Sequence, residues 1–292
     1  MYRSFAELHE RRHWWFVGRR RILASLLEDT LDERRDLRIL DIGCGTGGMI
    51  PVLSPFGRVT GIDPSDAAIR YSRERYGSVA DFLQVDFPRE TPPGEPSDLV
   101  TLFDVLEHLE EDEEALRKAA GLLRKGGRMV LTVPAHRFLW SPHDDINRHR
   151  RRYGYRELRD RILGAGLEIR RLTYFNTFLF PAVWGARRVR RALALKGDRR
   201  SDFRIRREWI NNSLASLFGA ERFLLRRFDL PFGVSLLAVA AGAADSAAGA
   251  PGPGVSSAQP EHSSSASSAA GPAARRRFIC RAAASRLRAR PG

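Results

Sequence analysis

Residues 39–48 read Ile-Leu-Asp-Ile-Gly-Cys-Gly-Thr-Gly-Gly, an apolar run that breaks into glycines just before a helix-like stretch. A strand ending this way must turn sharply, and glycine supplies backbone conformations closed to other residues. Main chain is thereby brought close to whatever lies over the end of the strand. Gly43, Gly45 and Gly48 satisfy G-x-G-x-x-G, which alone is a weak dinucleotide signal. Asp63 follows Gly43 by 20 residues and ends a second apolar run. An acid at that place can accept both hydroxyls of a ribose.

The surrounding pattern supplies the fold class. Residues 37–42, 58–62, 80–85, 98–103 and 128–133 read as strands. Residues 48–53, 65–75 and 111–124 read as helices, the last closed by Gly126-Gly127 as a C-cap signal. Such alternation predicts an α/β fold with a parallel sheet and helices on both faces. Residues 167–174 and 234–240 read as two more strands, separated by an aromatic and Arg-rich insertion at 175–230. The predicted organisation is an N-terminal helical cap (1–36), a main domain (37–240) carrying that insertion, and a basic tail (241–292). The tail is mostly Ala, Ser, Gly and Pro as far as residue 274. It cannot bury enough apolar surface to offset its ordering entropy and is expected to be disordered.

Asp41 discriminates between nucleotides. It stands two residues before Gly43, where a carboxylate would repel a pyrophosphate. It suits a ligand carrying an ammonium or sulfonium, which favours S-adenosylmethionine over NAD.

With those residues in place, the chain resembles class I S-adenosylmethionine-dependent methyltransferases. The glycine motif of that family matches Asp41, Gly43, Gly45 and Gly47, with Cys44 and Thr46 between the glycines. The second-strand acid matches Asp63, followed by Pro64; the acid after the third strand matches Asp86, followed by Phe87. Phe103-Asp104-Val105-Leu106-Glu107-His108-Leu109 matches the fourth-strand motif, and Leu123 to Gly127 the turn before the fifth strand. The resemblance implies a Rossmann-like, mostly parallel seven-stranded sheet with an antiparallel last strand. It implies S-adenosylmethionine as cofactor, with Asp63 on the ribose, Asp86 near the adenine, and Phe103, Asp104 and Val105 beside the sulfonium. His13-Trp14-Trp15-Phe16, His143-Asp144 and His149 through Tyr153 resemble a bacterial small-molecule-type subgroup.

Other constellations carry expectations of their own. Asp104, Glu107 and His108, with His136 or His143, are a candidate divalent-ion set. A hard ion wants more oxygen ligands than these supply, so no metal is expected and the pair is read as ordering its loop. His143 beside Asp144 is a candidate general base, with His108 as a further catalytic candidate; the alternative is that His143 and Asp144 pin a loop against Arg151, Arg152 or Tyr153. Trp14, Trp15 and Phe16 read as a helix packed on the sheet, with Trp15 the candidate cofactor contact. Arg19-Arg20-Arg21 read as a solvated face, with one Arg on the methionyl carboxylate as the alternative. In the insertion, Phe175, Phe178, Leu179, Phe180, Val183 and Trp184 precede Arg187, Arg188, Arg190 and Arg191. That pattern reads as a substrate lid, with an interfacial helix on an anionic membrane as the alternative.

Charge and cysteine content narrow the partners. Lys and Arg outnumber Asp and Glu by 49 to 35, giving +14 and favouring anionic partners. The chain has 2 Cys, Cys44 and Cys280, so no disulfide framework is expected. No spanning helix and no secretory signal is read, and the expected location is cytoplasmic, with peripheral membrane contact as a variant. The expected activity is in-line methyl transfer to an O or N of a small or lipid- or glycan-linked acceptor. The rivals are an RNA-directed methyltransferase, which lacks a recognisable RNA module here, and a membrane-surface module that binds cofactor without turnover.

Overall fold

The computed structural model describes residues 12–31, 33–192 and 207–242. Its seven strands are β1 (Leu37–Ile42), β2 (Gly57–Asp63), β3 (Ala80–Gln84), β4 (Ser97–Phe103), β5 (Leu123–Pro134), β6 (Leu167–Phe175) and β7 (Ser235–Gly242). They form one sheet in the order β3-β2-β1-β4-β5-β7-β6. All pairings from β3 across to β5 are parallel, whereas β7 runs antiparallel to both β5 and β6. The sheet is therefore mostly parallel with an antiparallel last strand, as expected.

The central strands are buried on two faces because alternate side chains enter different cores, whereas β2, β3 and β6 keep exposed positions. Every residue of β4 is buried. Ile39 and Leu99 join the core under helices α1 (Trp14–Leu31) and α8 (Glu208–Leu225), which also holds Ile22, Leu27 and Phe218. Leu40 and Val100 join the opposite core, with Leu116 of α4 (Asp112–Gly121) and Ile162 of α6 (Tyr155–Gly164). Gly18 lets α1 and α8 meet: a Cβ there would lie 2.5 Å from the Phe218 ring. The remaining helices are α2 (Ile50–Leu53), α3 (Asp66–Tyr76), α5 (Pro142–Ile146) and α7 (Phe180–Ala192). The order reverses at β1 and β4, so a crevice opens beyond their carboxyl ends, where open α/β sheets bind ligands.

Two local expectations are corrected. Helix α4 stops at Gly121, and β5 starts at Leu123 instead of residue 128. Gly126, at φ +74°, is no helix cap; it lies in an irregular stretch where β5 leaves register between Leu123 and Arg128. A β-carbon on Gly127 would lie 2.8 Å from the Arg124 carbonyl oxygen, so the stretch needs small residues for close backbone approach. Strand β7 continues through Gly242, past the residue-240 boundary. The low-complexity tail after it and the middle of the insertion (193–206) lie outside the described residues. Among the described residues no helix is long and apolar enough to cross a membrane.

Candidate active site

The glycine loop leaves β1 in the left-handed region, with Gly43, Gly45 and Gly47 at φ +70°, +54° and +78°. The N–H groups of Gly43 and Cys44 both donate to the Ile62 carbonyl, at 2.8 and 3.0 Å, tying the loop to β2. A Cβ on Gly43 would meet Val105 Cγ2 at 2.5 Å, whereas one on Gly45 would meet nothing within 4 Å. Gly43 thus admits close packing under the loop, and Gly45 keeps its upper side open.

Of the two acids, Asp63 braces this loop and Asp41 is tied to the neighbouring strand β4. Asp63 Oδ2 accepts from Gly45 N at 3.0 Å and Oδ1 from Ser65 N at 2.9 Å. Burial raises the Asp63 pKa against the pull of these bonds. Asp41 is buried, accepts from Thr101 Oγ1 at 2.7 Å, and is pushed up to about 7 by burial. Cys44 and Thr46 are buried within the loop, and among the described residues the Thr46 hydroxyl has no hydrogen-bond partner.

Opposite the loop stands Arg19 of α1, which is buried, contrary to the solvated face expected for the Arg19–Arg21 run. Its Nη2 lies 2.6 Å from Asp104 Oδ2 and 3.2 Å from Thr132 Oγ1. Thr132 in turn donates to Asp104 Oδ1 at 3.1 Å. The guanidinium sits 5.0 Å from the Trp15 ring centre and 5.5 Å from that of Phe103, a cation–π sandwich. Asp104 holds φ +58° at the end of β4.

His143 and Asp144 do not pair. Asp144 is fully buried and accepts from Ser141 N, His149 Nδ1 and both Nε and Nη2 of Arg152, at 2.8 to 3.1 Å. Burial opposes its charge, yet His149, Arg152 and Ser141 hold its pKa well below the usual carboxylate value. His143 instead contacts Asn147 Nδ2 through Nε2 at 2.8 Å. Adjacent positions on α5 separate the two roles: Asp144 points inward as a structural anchor, and His143 faces the cavity described next.

A cavity of about 1200 Å³ gathers these parts over the ends of β1 and β4. Asp41, Gly43, Cys44, Gly45, Phe103 and Asp104 form one wall, and Trp15, His108 and His143 also face it. Asp63, Pro64, Asp86 and Phe87 lie outside this cavity, along the neighbouring ends of β2 and β3. The Asp86 carboxylate, half-exposed, accepts from Arg89 at 3.2 Å, and Phe87 is buried. Thr46, Gly47 and Val105 also lie outside the cavity lining, Val105 packing under Gly43. Protein atoms crowding its ring, together with His149, lower the His108 pKa. Sequence reasoning named Arg152 among three candidate partners of the His143–Asp144 pair, and Asp144 does take it; it missed His149 as a further partner and Glu107 as a fully buried wall residue. The family described as methyltransferase domain matches residues 12–172, more than half of the chain.

The chain belongs to the class I S-adenosylmethionine-dependent methyltransferase family.

Among relatives of this methyltransferase, a probable S-adenosylmethionine-dependent methyltransferase of Mycobacterium tuberculosis is 30% identical over 132 residues, 44% of this chain and 47% of the relative. A ubiquinone biosynthesis O-methyltransferase of Bradyrhizobium diazoefficiens is 34% identical over 102 residues, 33% of this chain and 40% of the relative. The chain thus spans under half the length of these curated relatives. The plantazolicin methyltransferase BpumL, solved in complex with SAH, shares the fold at TM-score 0.53 and 16% identity, covering 82% of this chain and 89% of that one.

Proposed function

We propose that this methyltransferase moves the methyl group of S-adenosylmethionine to an oxygen or nitrogen of a small or lipid- or glycan-linked, largely apolar acceptor. The observation that carries the reading is the cavity: about 1200 Å³, above the roughly 300–1000 Å³ usual for one ligand, which leaves room for an acceptor beside the cofactor. Its far wall is aromatic and aliphatic, from Trp14, Trp15 and Phe16 of α1 and Leu179, Ala182 and Val183 around α7. The ubiquinone relative, named an O-methyltransferase, supports an oxygen nucleophile on an apolar body.

The residues fit the cofactor. Gly45 offers an open cradle, and Asp63, braced by two N–H groups, has lone pairs left for ribose hydroxyls. Asp41 and Asp104 put negative charge where a cation would sit. When bound, the cofactor supplies an electrophilic methyl on a positively charged sulfur. The chain contributes position, desolvation and proton acceptance. Trp15 and Phe103, clamped by Arg19, exclude water from the wall. His143, oriented by Asn147, accepts the proton from the acceptor.

A peripheral membrane contact has its own support. Trp184, Val189, Trp209, Phe223 and Phe228 are exposed on α7, α8 and the turn after it, with Arg188 and Arg222 stacked on Trp184 and Phe223. Aromatic residues interleaved with arginine suit an anionic lipid surface.

Isothermal titration with S-adenosylmethionine, S-adenosylhomocysteine and NAD tests the cofactor: micromolar binding of both adenosyl compounds and none of NAD is expected. Incubation with methyl-labelled cofactor and a cell extract tests the acceptor. Label in the organic phase or in small solutes supports the reading, and label confined to RNA overturns it.

A further inference from the structure

Three side chains with metal-ligating atoms meet at the rim of the cavity and have no role in the reading above. Glu107, His108 and His149 each bring one imidazole nitrogen or carboxylate oxygen within 4.8 Å of the others, and all three line the cavity. The rings of His108 and His149 stand edge to face, 4.8 Å between centres.

Each histidine is fixed from behind. His149 Nδ1 bonds Asp144 Oδ1 at 2.9 Å, and Arg152 holds that carboxylate at 2.8 and 3.1 Å. The proton therefore sits on Nδ1, and the Nε2 lone pair is left available. A ring nitrogen of His108 bonds the Arg148 carbonyl, from a residue at φ +57°. Outer partners of this kind set the tautomer of metal-bound histidines. Glu107 is fully buried, and among the described residues no other residue hydrogen-bonds either carboxylate oxygen. Such a group is costly to ionise unless a cation completes it.

We propose that Glu107, His108 and His149 bind one first-row divalent ion of the manganese-to-zinc series at the edge of the cavity. Two nitrogens and one carboxylate oxygen suit those borderline ions, whereas magnesium and calcium want oxygen throughout. The shortage of oxygen ligands that argued against a metal in the sequence does not apply to them. His149 also replaces the His136 or His143 weighed there: His136 is stacked on Tyr174 with ring centres 5.0 Å apart. Ligand atoms around such an ion lie about 3–3.5 Å apart, so the three groups must close in from their 4.8 Å spread when the ion binds. Three protein ligands leave positions open towards the cavity, where the oxygen of a hydroxyl-bearing acceptor fits. This last step narrows the acceptor class and rests on the methyl-transfer reading; the ion site itself does not.

The test is titration of metal-stripped, untagged full-length protein with Co²⁺, read by visible absorption. One equivalent with d–d bands, displaced by Zn²⁺, is expected. His108→Ala and His149→Ala should each weaken Co²⁺ binding at least tenfold. His149 also holds Asp144, so its variant is checked by circular dichroism, while the exposed His108 carries no such load. Absence of bands, or unchanged affinity in His108→Ala, overturns the proposal. Parallel calorimetry with S-adenosylmethionine separates the two readings. Cofactor binding without Co²⁺ binding removes only the ion site, and Co²⁺ binding without cofactor binding removes only the methyl-transfer reading.

Discussion

Arg19 Nη2 lies 2.6 Å from Asp104 Oδ2, joining the first described helix to the end of β4 across the cavity floor. Arg19 is 8% exposed and Asp104 22% at the side chain, so the pair is shielded far more than a surface ion pair. Removing one partner leaves the other charge uncompensated, which costs about 3–5 kcal/mol in buried pairs. Arg19→Met should therefore destabilise the protein by about 3 kcal/mol in urea unfolding. Arg19→Lys should recover part of it, keeping the charge and losing the fork that also reaches Thr132. A change below about 0.5 kcal/mol in Arg19→Met would mean the pair behaves like an exposed one.

Gly43 and Gly45 separate folding from binding. Gly43→Ala places a Cβ 2.5 Å from Val105 Cγ2 at φ +70°. Overpacking and left-handed strain together predict a loss of about 2–4 kcal/mol. Gly45→Ala meets no atom within 4 Å and carries only the left-handed penalty of roughly 1–2 kcal/mol. Its methyl group would occupy the open side of the cradle, so S-adenosylmethionine affinity should fall at least tenfold while the melting temperature moves by only a few degrees. Equal melting temperatures for the two variants would contradict the packing described under the loop.

Asp41 predicts a pH dependence of binding. Burial pushes its carboxyl up to about 7, so at pH 6 only about a tenth is ionised. A cationic ligand favours the ionised form. Affinity for S-adenosylmethionine should therefore rise about tenfold from pH 6 to 8 and then level off, as read by calorimetry. Asp41→Asn should flatten the profile at the weaker value. A wild-type profile that is already flat would show that Asp41 does not sense the cofactor's charge.

Much of this was legible because local patterning and tertiary structure agree. The β1 run, the glycines and Asp63 lie within a short stretch, and their roles depend mainly on strand and loop geometry. Asp98 to Phe103 read as a buried strand because it is one. What was not legible depends on distant partners. Arg19 sits in a run of three arginines, and only Asp104, Phe103 and Thr132 make one of them a buried residue. His143-Asp144 looks like a functional pair because the residues are adjacent. Yet adjacent residues on a helix point in different directions, and Asp144 turns to His149 and Arg152. Gly126-Gly127 resembles a helix stop, but β5 pairs with β4 and claims those residues for a strand.

Glu221 of α8 predicts a pH dependence of stability. It is fully buried and accepts from Phe178 N at 2.8 Å, at the corner where β6 passes into α7. Burial pushes its carboxyl from 4.5 up to about 7, against bonds from the Phe178, Asn176 and Thr177 backbone. The folded state therefore holds its proton more tightly than the unfolded chain. The stability this supplies is complete below about pH 4.5 and is lost as pH rises through about 7. The shift corresponds to about 3 kcal/mol. Glu221→Gln, which cannot ionise, should lose less stability than wild type between pH 5 and 8, by about 2.5 kcal/mol in urea unfolding. Asp41 titrates in the same window in both proteins, so the difference between them isolates Glu221. Parallel pH profiles for the two proteins would mean that Glu221 ionises as readily when folded as when unfolded.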